Sequence, residues 1–183
     1  MPSEALTHLR TRLTDVDEVL LARDAICPPG VGRPAQRRGA AVLRSAAVLL
    51  SAAFEGYMET LYNAAVDLLF AAYPVADRNA LKNSTSERNH NANVFKVNAL
   101  YFNIGIPWVM HHPNIHWQKF PNDRVRETLN ELSIARNQIA HGQLATVRKP
   151  TARKWRDFVG RLATRLDEIV ADKVEAETGV RPW

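Results

Sequence analysis

Between Val42 and Phe54 the chain reads Val-Leu-Arg-Ser-Ala-Ala-Val-Leu-Leu-Ser-Ala-Ala-Phe, apolar on almost every side of a helix. A helix with no polar face cannot lie on a surface and must be enclosed by other elements. Its most apolar stretch, Ser45 to Phe54, is about half the roughly 20 residues needed to cross a bilayer. Enclosure by the rest of the chain is therefore expected, with no membrane as partner. At 183 residues, 46% of them hydrophobic, the chain holds enough material for one domain with a substantial core.

The cover comes from amphipathic segments on either side. Leu6, Leu9, Leu13, Val16, Val19 and Leu20 recur at spacings of three and four, which predicts a helix over 3–25 with Ser3 as N-cap. Cys27-Pro28-Pro29-Gly30-Val31-Gly32-Arg33-Pro34 ends it. The enclosed helix is expected over 36–73, stopping at Tyr73-Pro74. A third helix opens at Pro121-Asn122-Asp123, with Asn122 or Asp123 as cap. Val125, Leu129, Leu132, Ala135 and Ile139 form its apolar stripe, and Gly142 stands where a C-terminal glycine belongs. Trp155, Phe158, Val159, Leu162, Leu166, Ile169 and Val170 mark a last helix over 151–175. Between the second and third, about 75–121 reads as an irregular insertion: 83–91 is a polar loop, and 94–104 a short helix burying Phe95, Leu100, Tyr101 and Phe102. The expected fold is all-α, one domain over 1–183, a bundle of four main helices plus a short helix in a long irregular insertion.

Cys27 is the only cysteine, which excludes an internal disulfide and a Cys-rich zinc site. His112 and His116 have zinc-like spacing, but Pro113 lies between them and no third ligand is evident, so no metal and no cofactor is expected. Met1-Pro2-Ser3-Glu4 lacks the basic start and apolar run of a signal peptide, so a cytoplasmic location is expected. The formal net charge of +5 suits an anionic partner such as nucleic acid, and equally an ordinary basic protein.

The chemistry-bearing segment is Arg136-Asn137-Gln138-Ile139-Ala140-His141-Gly142, at the end of the third helix. It combines a phosphate-clamping guanidinium, an amide and the one side chain that ordinarily titrates near neutrality. With Val125 at zero on a helical projection, Leu129, Leu132 and Ile139 fall within about 40° and Arg136 within about 20°. An arginine inside an apolar stripe needs an acid, a carbonyl or a phosphate. Glu55 and Glu59, one turn apart on the enclosed helix, are the internal candidates. Asn137 and His141 share a face roughly 120° to 160° from the stripe, with Ile134 beside them. That face is exposed or lies against a partner. A histidine in the last turn also serves as a simple helix-end residue favoured by the dipole, and both readings stay open on spacing alone.

These residues resemble the HEPN superfamily, whose signature is Arg, four to six residues, then His, with Asn commonly following the Arg. Leu49-Leu50-Ser51-Ala52-Ala53-Phe54-Glu55-Gly56-Tyr57 and the run from Asn122 to Gly142 are similar to its RiboL-PSP branch. The resemblance implies a metal-independent endoribonuclease acting as a homodimer, with two motifs facing a cleft at the interface. It casts His141 as general base toward a ribose 2′-hydroxyl or as acid toward the leaving oxygen. Arg136 would hold the phosphate and Asn137 would orient His141 or bind the phosphate. The implied products end in a 2′,3′-cyclic phosphate and a 5′-hydroxyl. Such proteins often act as toxins or in phage defence, some under an antitoxin or another regulatory partner. Where some carry a Tyr that an antitoxin modifies, this chain has Gln143, which argues against that route.

Arg148, Lys149 and Arg153, with Lys154 and Arg156, follow the motif. They are either an RNA-phosphate footprint or a solvated face balanced by Asp167, Glu168 and Asp172. Arg33, Arg37 and Arg38 form a second basic cluster. Trp108 and Trp117 either stack on unpaired bases or anchor the insertion to the bundle. The rival to catalysis is a non-catalytic dimerisation or RNA-binding module of the same fold. A DNA-binding regulator is a third class, for which no helix-turn-helix is visible.

Overall fold

The computed structural model describes residues 1–28, 30–86, 91–118 and 120–183. Among them lie six α-helices and no strand: α1 (Glu4–Ile26), α2 (Arg33–Leu69), α3 (Val75–Ser86), α4 (Val94–Phe102), α5 (Asn122–Ala140) and α6 (Lys149–Thr178), with a 3-10 turn at Val109–His111. The all-α expectation holds.

The apolar run places α2 at the centre, packed by α1, α5 and α6. Phe54, Leu61, Ala65 and Val66 on α2 have no exposed surface. By length and composition α2 is long and apolar enough to cross a membrane. Here its apolar residues form the core of the bundle. Gly56 lets α1 approach closely: a Cβ there would stand 2.8 Å from the Arg12 guanidinium. Tyr57, fully buried, donates its hydroxyl to the Ala163 carbonyl of α6 at 2.7 Å, and burial pushes its phenol well above the ordinary value. Ser3 caps α1 as expected, accepting from the Leu6 N–H at 3.0 Å. Its own N–H and hydroxyl both donate to Asp167 of α6, tying the start of the chain to the last helix.

The helix ends differ from expectation for identifiable reasons. Pro34 lies in the first turn of α2 rather than before it, where its missing N–H costs nothing. Neither Asn122 nor Asp123 caps α5; Pro121 occupies the cap position with no side-chain bond. The Asn122 amide instead donates to the Met110 and Ile115 carbonyls, both at 3.0 Å, and so clasps the preceding turn.

The segment 75–121 is more ordered than expected. Residues 83–86 belong to α3 rather than to a loop; the rest of that expected loop, 87–90, lies outside the described residues. No apolar stripe announces α3, because ion pairs dock it: Arg78 and Lys82 reach Asp67 of α2 at 3.0 and 2.6 Å. Trp117 stacks on Phe120 at 5.0 Å, and both rings meet Phe158 of α6. That tryptophan anchors the insertion. Trp108 does not, being 67% exposed.

Candidate functional site

The last turn of α5 closes as a Schellman motif. Gly142, at φ +72°, donates its N–H to the Ile139 carbonyl at 3.0 Å, and Gln143 donates to Gln138 at 2.8 Å. A side chain at a positive φ is strained, which accounts for glycine there. The turn leaves His141 as the exposed C-cap, its N–H bonded to the Asn137 carbonyl at 3.0 Å. One turn earlier Arg136 and Asn137 are half-buried, and the Arg136 Nη1 donates to the Asn137 Oδ1 at 3.4 Å. The helical projection is matched over the first part of the stripe, where Val125, Leu129 and Leu132 are buried while Ile134 is 57% exposed. Toward the end of α5, Ala135 and Ile139 are half-buried, and Asn137 is no more exposed than Arg136.

The expected pairing of Arg136 with Glu55 or Glu59 does not occur, and among the described residues Arg136 has no carboxylate within ion-pair distance. Glu55 is turned to a different task. Its Oε1 accepts from the Ser51 hydroxyl and from the Ala92 N–H, each at 3.2 Å. Next to Ala92, Asn91 accepts from the Ser133 hydroxyl of α5 at 3.0 Å. The short connection into α4 is thus bonded to α2 on one side and α5 on the other, and Glu55 holds this connection instead of the arginine. Glu59 is half-buried one turn further along α2.

The basic residues after the motif divide. Lys149 and Arg153 both reach Asp24 at the end of α1, at 2.6 and 3.6 Å. Hydrogen bonds from Lys149 and then Arg23 hold the Asp24 carboxyl below its ordinary range. Arg148, the exposed N-cap of α6, has no ion pair among the described residues. In the insertion, His112 Nδ1 accepts from the Asn114 N–H at 3.2 Å, and His116 Nδ1 faces the Pro113 carbonyl at 2.6 Å. Among the described residues no three or more His, Cys, Asp or Glu side chains gather.

One feature beside the motif escaped sequence reasoning. A groove of about 580 Å³ runs between α4, the 3-10 turn and α5, with Asn137 on its wall together with Phe95, Asn98, Trp108 and Ile134. The expected burial of Phe95 and Phe102 is wrong, since both are exposed, at 73% and 65%. The visible signal was six aromatic residues, Phe95, Tyr101, Phe102, Trp108, Trp117 and Phe120, in the insertion, more than its buried face could absorb.

An all-α domain whose late helix ends in a half-buried Arg-Asn pair and an exposed His is the class that fold and site define. The chain belongs to the RiboL-PSP-HEPN family, whose model matches residues 32–172. No curated protein and no solved structure matches it. The matched span begins at the start of α2, so α1, which supplies Asp24 and Ser3, lies outside it.

Proposed function

We propose that the protein is an endoribonuclease that cleaves single-stranded RNA by attack of a ribose 2′-hydroxyl, with no metal in the reaction. The observation that carries this reading is the end of α5 in a RiboL-PSP-HEPN chain: an exposed imidazole held one turn from a half-buried guanidinium that has no carboxylate partner among the described residues. A guanidinium with no acid beside it is available to a phosphate, and can follow the charge that builds on the phosphoryl oxygens. His141 serves as base toward the 2′-hydroxyl or acid toward the departing 5′-oxygen, Asn137 positions it, and the products carry a 2′,3′-cyclic phosphate and a 5′-hydroxyl. One subunit offers one histidine on an outer face, so the reading includes a homodimer in which a second copy supplies the complementary acid or base. Arg148 extends the cationic approach, with Lys149 and Arg153 shared between Asp24 and RNA. A toxin or phage-defence role under a regulatory partner belongs to the same reading.

The test is cleavage of single-stranded RNA by purified protein in excess EDTA, with end-group analysis. Cyclic phosphate ends are expected, with activity about 10²- to 10⁴-fold lower in His141→Ala while its circular dichroism and melting stay unchanged. Full activity in that variant, or activity abolished by EDTA, overturns the mechanism.

A further inference from the structure

We propose that the groove between α4, the 3-10 turn and α5 is a nucleobase subsite selecting an unpaired keto base, uracil over adenine, next to the phosphate held at Arg136. The proposal rests on the ribonuclease reading for its RNA, and on the groove itself for its selectivity.

Its wall carries an aromatic that the fold does not use. Trp108 adopts φ 54° and ψ 40°, a left-handed conformation unfavourable for a bulky residue, and burial does not offset that strain, because the side chain is 67% exposed. His111 meets the indole edge-on at 5.9 Å. Phe95 on α4 lines the same groove with 73% of its surface exposed. Two exposed π faces on one groove suit a stacked base.

Besides His111 and Ser133, whose hydroxyl already donates to Asn91, the polar groups there are of one kind. Asn93, Asn98, Asn130 and Asn137 all line the groove. Their oxygens are taken: by the Lys96 N–H at 2.9 Å, the Met110 N–H at 2.9 Å, the Val94 N–H at 3.2 Å and the Arg136 Nη1 at 3.4 Å. A backbone N–H can only donate, so at least the first three amides are fixed with oxygen inward and nitrogen left over. Among the described residues none of the four Nδ2 groups has a partner. Among the described residues no Lys, Arg, Asp or Glu lines the groove, which disfavours a phosphate or an acidic peptide as occupant. A donor-rich, aromatic-walled slot matches a flat ring bearing carbonyl oxygens. Uracil supplies two. On its pairing edge adenine offers one ring-nitrogen acceptor against uracil's two carbonyl oxygens, and its exocyclic amine would meet amide donors. A second copy of the chain seated here would leave those amides facing apolar side chains, at the cost of unpaired donors.

The experiment uses the full chain with His141→Ala to keep RNA intact. Anisotropy of labelled hexauridylate and hexaadenylate is measured beside sedimentation at the same protein concentration. The expected result is about tenfold tighter binding of hexauridylate, and a loss of about tenfold in Trp108→Ala and in Phe95→Ala. Asn130→Asp, isosteric and on an exposed position, exchanges a donor for an acceptor and brings the uridylate-to-adenylate ratio toward one; a purely electrostatic effect would lower both affinities equally. Equal affinities with insensitive variants overturn the proposal. So does a dimer that becomes monomer in Trp108→Ala or Phe95→Ala with both affinities falling alike, which makes the patch a subunit seam. Uridylate preference without wild-type cleavage would sink the ribonuclease reading and leave the subsite standing; His141-dependent cleavage without base preference would do the reverse.

Discussion

Where α1, α2 and α6 meet, polar groups close on one another; at the end of α5 they stay open. In the first region the Tyr57 hydroxyl finds the Ala163 carbonyl, Asp167 takes both donors of Ser3, and Arg156 clasps Asp17 with bonds of 2.8 and 3.1 Å. In the second, His141 is exposed, Arg136 has one long bond to its neighbour, and Ile134 and Leu144 are 57% and 92% exposed. The difference separates scaffold from working surface. A region that satisfies most of its buried groups internally, with the Arg23 Nε and Trp155 Nε1 as exceptions among the described residues, has little need of a partner there, whereas unfilled donors and bare apolar side chains gathered beside one motif leave a face open to one.

The sharpest break in that comparison comes from matched substitutions. Phe54→Ala, inside the closed region, is expected to cost about 3–5 kcal/mol in denaturant unfolding. Arg136→Ala should cost less than about 1 kcal/mol while lowering RNA cleavage about 10²- to 10³-fold. Comparable stability losses in the two would erase the distinction. Between these extremes, Gly142→Ala places a side chain at φ +72° and should destabilise by about 1 kcal/mol, with cleavage falling further than stability because the turn sets His141. Tyr57→Phe tests the closure itself: loss of about 1 kcal/mol is expected from one buried hydrogen bond, with cleavage per folded molecule unchanged.

The smallest effect concerns pH. Burial raises the Asp167 carboxyl above its ordinary value, against the opposing bonds from Ser3. The folded chain then holds a proton that the unfolded chain has released, so stability falls as pH rises from about 4 through that window. Asp167→Asn removes the titration. Unfolding midpoints measured across the window should show a flatter slope in the variant, and an unchanged slope would mean that another group governs it.

Much of the site could be read from the chain. Arg136 is half-buried and His141 exposed as their helical positions predict, while Asn137, expected on the outer face, is half-buried against the groove beside α4. Gly142 ends α5 because only glycine accepts that φ without strain. The partners could not be read. Nothing local to Glu55 says that it accepts from Ala92, 37 residues away, and nothing in Asn122 distinguishes a helix cap from a clasp on Met110 and Ile115. Trp108 and Trp117 look alike in sequence, yet one packs on Phe158 and the other stands in solvent.

By itself the sequence determined the four main helices and the short α4, that α2 must be enclosed, that Ser3 starts α1 and that Gly142 ends α5. These follow from a 3.6-residue period and from single-residue backbone preferences, both local properties. Only the tertiary structure decided that polar α3 is a helix docked on Asp67, that Arg136 has no acid beside it among the described residues, and that four asparagines and two aromatics line one groove. Those outcomes depend on which distant groups are brought within hydrogen-bond or ion-pair distance, and local periodicity carries no record of that.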